Sequence, residues 1–183
     1  KVVNYETASR NGEPFAELIE QRSFLPNSVM RFCTTELKIN PITRYMASIG
    51  HDEFQTMAGI RADEPRRVAK LRETLHAPLA IAGVTQADVQ TFWASNSFDL
   101  GIEFRDKVTP LGNCDLCFMK GAYQIMSIIQ QEPSRAIWWA EQEKKIGGRF
   151  SKDRPDYTQM MNFGKSQTDM FSKEEETIEY NLK

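Results

Sequence analysis

Three cysteines are the residues of this sequence best suited to chemistry, and they occur in two short motifs. Cys33 lies in the stretch Arg-Phe-Cys-Thr-Thr-Glu-Leu-Lys, and Cys114 and Cys117 form a Cys-x-x-Cys pair shortly after Gly112. Such a pair places two soft sulfur ligands within reach of one metal, and a distant third cysteine can add another ligand. The pair therefore indicates a metal or iron–sulfur site, a redox pair, or two thiols that only pack as small apolar groups.

The residues around Cys33 favour a reactive or metal-binding thiol. Arg31 and Lys38 carry positive charges that would lower the pKa of a nearby thiol. The segment then reaches Asn40-Pro41, a predicted helix start where an anion could bind. Because the chain has three cysteines and two histidines, a closed four-cysteine zinc site cannot form from it. An iron–sulfur cluster with one open iron remains, as does a site completed by histidine, water, substrate or another segment.

A turn rich in arginine lies between the two cysteine motifs, at Gly59-Ile60-Arg61-Ala62-Asp63-Glu64-Pro65-Arg66-Arg67. Glycine after a buried strand allows close approach of a ligand, and guanidinium groups bind phosphate or sulfate through two parallel hydrogen bonds. Arg61, Arg66 and Arg67, together with Lys38, are therefore the candidate phosphate- or sulfate-binding residues. The alternative is a solvated helix start, where the acidic residues of the turn suit the helix dipole.

Composition limits the class of protein. A length of 183 residues suits one domain, and a net charge of −2 requires any anion site to be local. No apolar run approaches the ~20 residues of a membrane span. Three cysteines, an odd and low number, favour the reducing cytoplasm over a secreted disulfide framework. We expect a main domain over residues 1–150 and a polar, peripheral C-terminal tail over 151–183.

Helix signals alternate with short apolar runs, which predicts an α/β fold with a parallel sheet and flanking helices. Pro14 starts the first predicted helix, and Thr85 with Asp88 forms a capping box for a later one. Residues 1–5 and 53–60 are the predicted strands. The other predicted helices cover about residues 41–49, 64–75, 123–131 and 133–146, the last of which ends at Gly147-Gly148.

In combination these motifs resemble the phosphoadenosine phosphosulfate (PAPS) reductase family. The stretch from Cys33 to Ile42 is similar to its Cys-x-x-x-x-Lys-x-x-Pro-Leu motif, and 59–67 resembles its arginine turn, with Pro65 where serine is common. The segments 78–89 and 112–117 resemble its Pro-Leu and Gly-Cys-x-x-Cys elements. The order agrees throughout residues 25–125, and residues 123–157 look like phage and prophage members of the family.

The resemblance implies an adenine nucleotide alpha-hydrolase-like fold that binds ATP or a PAPS-like nucleotide. The family's phosphate loop, Ser-Gly-Gly-x-Asp-Ser, is absent from this sequence. We expect that N-terminal part to be missing from this chain; the alternative is a degenerate protein that no longer binds ATP. Reductases of the family also carry a late cysteine nucleophile, whereas no cysteine follows Cys117 here. The resemblance therefore assigns no catalytic residue.

Two functions follow as expectations. The first is an enzyme of reductive or sulfur-transfer chemistry, in which Cys33, Cys114 and Cys117 ligate a 4Fe–4S cluster, or zinc as the alternative. A three-cysteine cluster resembles that of tRNA-thiolating enzymes of the wider superfamily, so nucleic acid is a candidate sulfur acceptor. The second is a non-catalytic accessory protein with structural zinc or no metal. Its partner, a protein or nucleic acid, would contact Trp138, Trp139 and the basic residues of 144–154.

Overall fold

The computed structural model describes residues 3–71, 75–98, 101–102, 109–112 and 114–164 as a mixed α/β protein. The chain divides into two compact units, one formed by Lys1–Pro41 with Glu103–Lys183 and the other by Ile42–Ile102. None of the helices in the described ranges is long and apolar enough to cross a membrane. The numbered helices are α1 Glu13–Arg22, α2 Phe32–Thr34, α3 Asn40–Ser48, α4 Pro65–Val68, α5 Pro78–Ile81, α6 Gln86–Ser95, α7 Ala122–Gln131 and α8 Ala136–Ile146, and residues 157–164 are also helical.

The first unit has a hydrophobic core built mainly from α1, α7, α8 and the segment that contains the Cys-x-x-Cys pair. Helix α7 presents isoleucines at the i, i+3, i+4 spacing of a buried helix face, as predicted. Trp139 of α8 packs on Phe150 and Tyr157 at ring distances of 4.9 and 5.4 Å. The most buried large side chains of this unit are Ile19, Leu116, Ile125, Ile129, Phe150 and Tyr157.

The C-terminal part of the first unit differs from the predicted peripheral tail. Tyr157 and Met160 belong to the core, and residues 157–164 are helical. The polar composition of this segment concealed the apolar side chains that enter the core, those of Tyr157 and Met160. Residues 165–183 lie outside the described residues.

The helix that carries Cys33 contains a proline in its interior. Residues 32–34 are α-helical, Thr35–Ile39 form a π-helical turn, and α3 continues directly from Asn40. Pro41 has no N–H for the Leu37 carbonyl and its ring crowds that carbonyl, so a regular α-turn is disfavoured here. The wider π turn, in which Asn40 N–H bonds to the Thr35 carbonyl, accommodates the ring. The predicted helix over about 41–49 is confirmed as α3. It has no free N-terminus at Asn40-Pro41, because the π turn runs directly into it, so the anion site inferred from that start is wrong.

The second unit contains the sheet of the described residues, two short parallel strands. Strand β1, Thr56–Met57, pairs with β2, Leu75–His76, with Thr56 opposite Leu75. The α/β class with parallel pairing is confirmed, whereas the predicted strand over 53–60 is shorter and exposed. The predicted helix over 64–75 ends at Val68, and the predicted N-terminal strand is absent from described residues 3–5.

Helix α6 of the second unit begins with the predicted capping box. The Thr85 hydroxyl accepts from the Asp88 amide at 3.4 Å, and the Asp88 carboxylate accepts from the Thr85 amide at 2.8 Å. These reciprocal bonds satisfy two N–H groups that a helix start leaves unpaired. The buried side chains of this unit include Ile60 and Ala77, which lie just after β1 and just after β2.

Candidate thiol site

Cys33 lies in the first turn of its helix and is half-buried against the core of the first unit. Burial raises the pKa of the Cys33 thiol, and the thiols of Cys117 and, more weakly, Cys114 add to this effect, while hydrogen bonds at Thr34 oppose it. We expected Arg31 and Lys38 to lower this pKa. Both side chains are exposed and neither contributes, so that prediction is wrong. Long charged side chains such as these extend their charged ends into water, even when they lie close to the thiol in sequence.

The Cys-x-x-Cys pair forms a tight turn whose centre is anchored in the core. The Cys117 amide donates to the Cys114 carbonyl at 3.3 Å. Cys114 is exposed and Cys117 half-buried, while Leu116 between them is fully buried. A side chain at Gly112 would approach the Thr109 hydroxyl to 2.5 Å, which explains the glycine ahead of the pair. The turn thus presents its two sulfurs at different depths.

A buried lysine that the sequence analysis missed holds this turn. The Lys120 ammonium group donates to the carbonyl oxygens of Asp115, at 2.7 Å, and Pro110. Burial lowers the pKa of Lys120, whereas the negative charges of Asp115, Cys117 and Cys114 raise it. Arg154 in turn donates to the Lys120 carbonyl at 3.0 Å. The sequence around Lys120, with Met119 before it and a glycine after it, does not indicate burial, because many exposed lysines have similar neighbours.

The structure brings the three predicted cysteines together in one unit. Cys33 comes from a segment about 80 residues before the pair, yet the thiols of Cys117 and Cys114 contribute to the raised pKa of Cys33. Three thiols suit iron–sulfur or zinc chemistry by ligand type. Within the described residues, however, no group of three or more His, Cys, Asp or Glu side chains is arranged to hold a metal ion. The donors fit a metal by type, but they do not form a closed ligand set.

The predicted anion-binding residues fall in both units: Lys38 belongs to the first, and the three arginines belong to the second. Lys38 lies exposed on the π turn of the first unit. In the second unit, Arg61 Nε donates to Asp63 at 2.9 Å, and Arg67 Nη1 donates to Glu64 at 2.7 Å. Burial tends to raise the pKa of Glu64, but bonds from the Arg61 amide and from Arg67 lower it overall.

The turn therefore supplies its own counter-charges. Asp63 also accepts from the Gln86 amide at 3.1 Å, and this bond is the main cause of its lowered pKa. Within the described part of the second unit, Arg66 is exposed and shows no ion pair. An anion that binds Arg61 or Arg67 would have to compete with these carboxylates.

Comparison with known proteins finds a phage relative. The chain is 31% identical over 114 residues to the uncharacterized nin region protein ORF290 of Escherichia phage lambda. The aligned part covers 62% of this chain and 37% of the phage protein, so the chain spans well under half of that relative's length. No family model and no solved structure matches the chain. The chain is therefore similar to part of a phage protein whose name states no activity.

Proposed function

We propose that this chain belongs to a PAPS reductase-like enzyme that acts on an adenine nucleotide or adenylyl sulfate by reductive or sulfur-transfer chemistry. The observation that carries the proposal is that Cys33 packs against the same core that contains Leu116 of the Cys-x-x-Cys turn. The whole second unit separates the two motifs in sequence, so nothing local requires them to share a core, and this arrangement supports a shared role. The parallel strands and the phage relative are compatible with the proposal.

In this proposal Cys33, Cys114 and Cys117 hold an iron–sulfur cluster whose remaining position is open or filled from elsewhere. Such a cluster supplies electrons or carries sulfur. The chain's own contribution is to place the thiols: Leu116 fixes the depth of the Cys-x-x-Cys turn, and Lys120 keeps a positive charge close to it. Lys38, Arg61, Arg66 and Arg67 are the proposed phosphate or sulfate ligands.

Anaerobic purification followed by an absorbance spectrum and metal analysis tests the proposal. A cluster predicts broad absorbance near ~400 nm and about four irons per chain. Cys33→Ser, Cys114→Ser and Cys117→Ser should each remove most of the iron. Met119→Leu is the matched control, since it alters a sulfur-bearing side chain next to the turn that cannot supply a thiolate. Iron content that is unchanged in all three serine variants would contradict the proposal.

The non-catalytic alternative is favoured by a different observation. Arg61 and Arg67 are already bound to carboxylates, and the described thiols do not form a closed ligand set. An accessory protein with structural zinc or no metal is compatible with both facts. A colourless protein with one zinc or none, and no turnover of ATP or adenylyl sulfates, would favour this alternative.

A further inference from the structure

A cleft of about 380 Å³ opens beside Cys114 in the first unit. Its walls come from the start of α1, the start of α8 and the Cys-x-x-Cys turn, which are distant in sequence. Its size lies in the range of small-molecule sites. The lining includes Arg10, Cys114, Asp115, Arg135 and Trp138.

The charged lining of this cleft favours an anion. It contains two guanidinium groups, Arg10 and Arg135, and one carboxylate, Asp115. Arg10 stacks on the Tyr5 ring at 4.4 Å, and the contacts of the described residues give it no carboxylate partner. Arg135 bonds to Glu132 at 2.8 Å and lies 3.8 Å from Asp115. Arg10 therefore has an uncompensated charge, whereas Glu132 and Asp115 already neutralise the charge of Arg135.

The aromatic lining favours a planar group. Trp138 packs against Phe15 at a ring distance of 5.3 Å and edge-on to Trp139 at 5.2 Å. Trp139 is fixed because its indole N–H donates to Asp115 at 3.2 Å. Gly12 leaves room for the Trp138 indole, since a Cβ there would lie 2.8 Å from Nε1. Trp138 is only partly buried and lines the cleft, so the accessible part of its indole ring is available to stack on a nucleobase.

We infer that this cleft binds one nucleotide unit, with its base on Trp138 and its phosphate at Arg10. The unit is either a free mononucleotide or one residue of a single strand, since both carry the same base and phosphate. The bound nucleotide lies beside the Cys114 thiol, the most exposed of the three. This inference deepens the proposed function by identifying the bound nucleotide as the sulfur acceptor. Only the role of Cys114 rests on the proposed function.

Titrations monitored by tryptophan fluorescence and by anisotropy test the inference. The probes are thymidine 5′-monophosphate and a labelled single-stranded thymidylate octamer, with thymidine and inorganic phosphate as partial ligands. We expect each partial ligand to bind at least roughly tenfold more weakly than the mononucleotide, because each loses one of the two contacts. An octamer that binds more tightly than the mononucleotide, with a steep salt dependence, identifies a single strand; equal affinities identify the free nucleotide.

Variants locate the site. Arg10→Ala and Trp138→Leu should each weaken binding roughly tenfold or more, whereas Arg149→Ala, an exposed arginine of the same unit beside Asp156, should not. If Trp138→Leu fails to fold, Arg10→Ala still decides, because Arg10 makes exposed contacts only. Equal binding by Arg10→Ala and wild type, or the absence of binding to both nucleotide probes, would overturn the inference.

The cleft and the thiol site can fail separately. The titrations are repeated with Cys114→Ser, in which the cleft keeps both arginines and all three aromatic residues. Cys114→Ser should lose its iron and keep its nucleotide binding. In the wild-type protein, nucleotide binding without iron would reject the cluster and leave the cleft intact. Iron without nucleotide binding in the wild-type protein would reject the cleft and leave the proposed cluster intact.

Discussion

The hydroxyl group of Tyr157 donates a hydrogen bond to the backbone carbonyl of Leu116, at the centre of the Cys-x-x-Cys turn. Both residues are almost fully buried, so this bond joins the helical residues 157–164 to the turn through the core. Burial is the main reason that the pKa of Tyr157 is strongly raised, which keeps the hydroxyl protonated as a donor. The position of the two sulfurs thus depends on a residue about 40 positions further along the chain.

Tyr157→Phe should lower the free energy of unfolding by about 1–3 kcal/mol, because it leaves the buried Leu116 carbonyl without its donor. Urea denaturation measures this change. Tyr123→Phe is the control, since Tyr123 is 83% exposed in the same unit and should change stability by less than about 0.5 kcal/mol. Equal effects of the two variants would show that the hydroxyl does not anchor the turn.

Lys120→Met keeps most of the side-chain volume and removes the ammonium group that bonds to Asp115 and Pro110. We expect a loss of about 1–3 kcal/mol, because two carbonyls lose a charged donor. The Cys114 thiol should also react faster with iodoacetamide as the turn loosens. Lys145→Met, which breaks an exposed ion pair with Glu20, should change stability by under about 1 kcal/mol. If Lys120→Met changed neither the stability nor the alkylation rate, the proposed role of Lys120 in holding the turn would be wrong.

Glu143 gives a pH-dependent prediction. Its buried carboxylate accepts from the amides of Phe150 at 3.0 Å and Tyr157 at 2.8 Å, and burial raises its pKa above 4.5. The folded state therefore binds this proton more tightly than the unfolded state. The stabilisation is complete below pH 4.5 and is lost as pH rises through the raised pKa.

Glu143→Gln removes this titration and one of the two acceptor oxygens. The variant should be destabilised at every pH, and more so near pH 5 than near pH 8. Thermal or urea unfolding across this range, compared with the exposed neighbour variant Glu141→Gln, measures the difference. A destabilisation that grows with pH would mean that the pKa of Glu143 is lowered instead.

Alanine substitutions at Gly12 and Gly147 distinguish the cost of backbone strain from the cost of a steric clash. Gly12 and Gly147 have positive φ angles of 79° and 70°, but only at Gly12 would an added Cβ meet a neighbour, the Trp138 indole. Gly147→Ala should therefore cost about 1 kcal/mol from backbone strain alone. Gly12→Ala should cost more and should alter the Trp138 fluorescence. Similar unfolding midpoints and unchanged fluorescence would show that the indole yields freely.

The capping box of α6 predicts the stability of the second unit. Thr85→Ala removes the side-chain acceptor of the Asp88 amide and should cost about 1 kcal/mol. Thr91→Ala is the matched control, because that hydroxyl only bonds back to the Ala87 carbonyl on an exposed helix turn. Replacing Thr91 should be neutral or slightly stabilising, since alanine is the better helix former. Hydrogen exchange of the α6 amides reports both variants.

Features that depend on a few neighbouring residues could be predicted from the sequence. The Thr85–Asp88 box and the end of α8 at Gly147 each involve contacts within four residues. Pro41 shows the limit of local signals, because a proline after asparagine is equally typical of a helix start. Whether it lies inside a helix depends on whether the preceding turn can widen, which local propensity does not reveal.

The candidate site was predicted only in part for the same reason. The types and spacing of the cysteines predicted a shared site for Cys33 and the pair. All three belong to one unit, and their role as ligands of one metal stays a prediction. The burial of Lys120 could not be foreseen, since it requires the carbonyls of Pro110 and Asp115 at the right distance. The raised pKa of Cys33 likewise depends on packing that distant residues provide.

The division of the chain into units has a consequence for its synthesis. Leu25 and Leu116 share one core although about 90 residues separate them, and the whole of the second unit is translated in between. At a translation rate of about 5–20 residues per second, Leu116 is synthesised roughly 5–18 s after Leu25. During that interval the second unit has all of its own contacts within reach. The core that positions the thiols therefore closes only after the second unit has been translated, and its first apolar residues lack their partners until then.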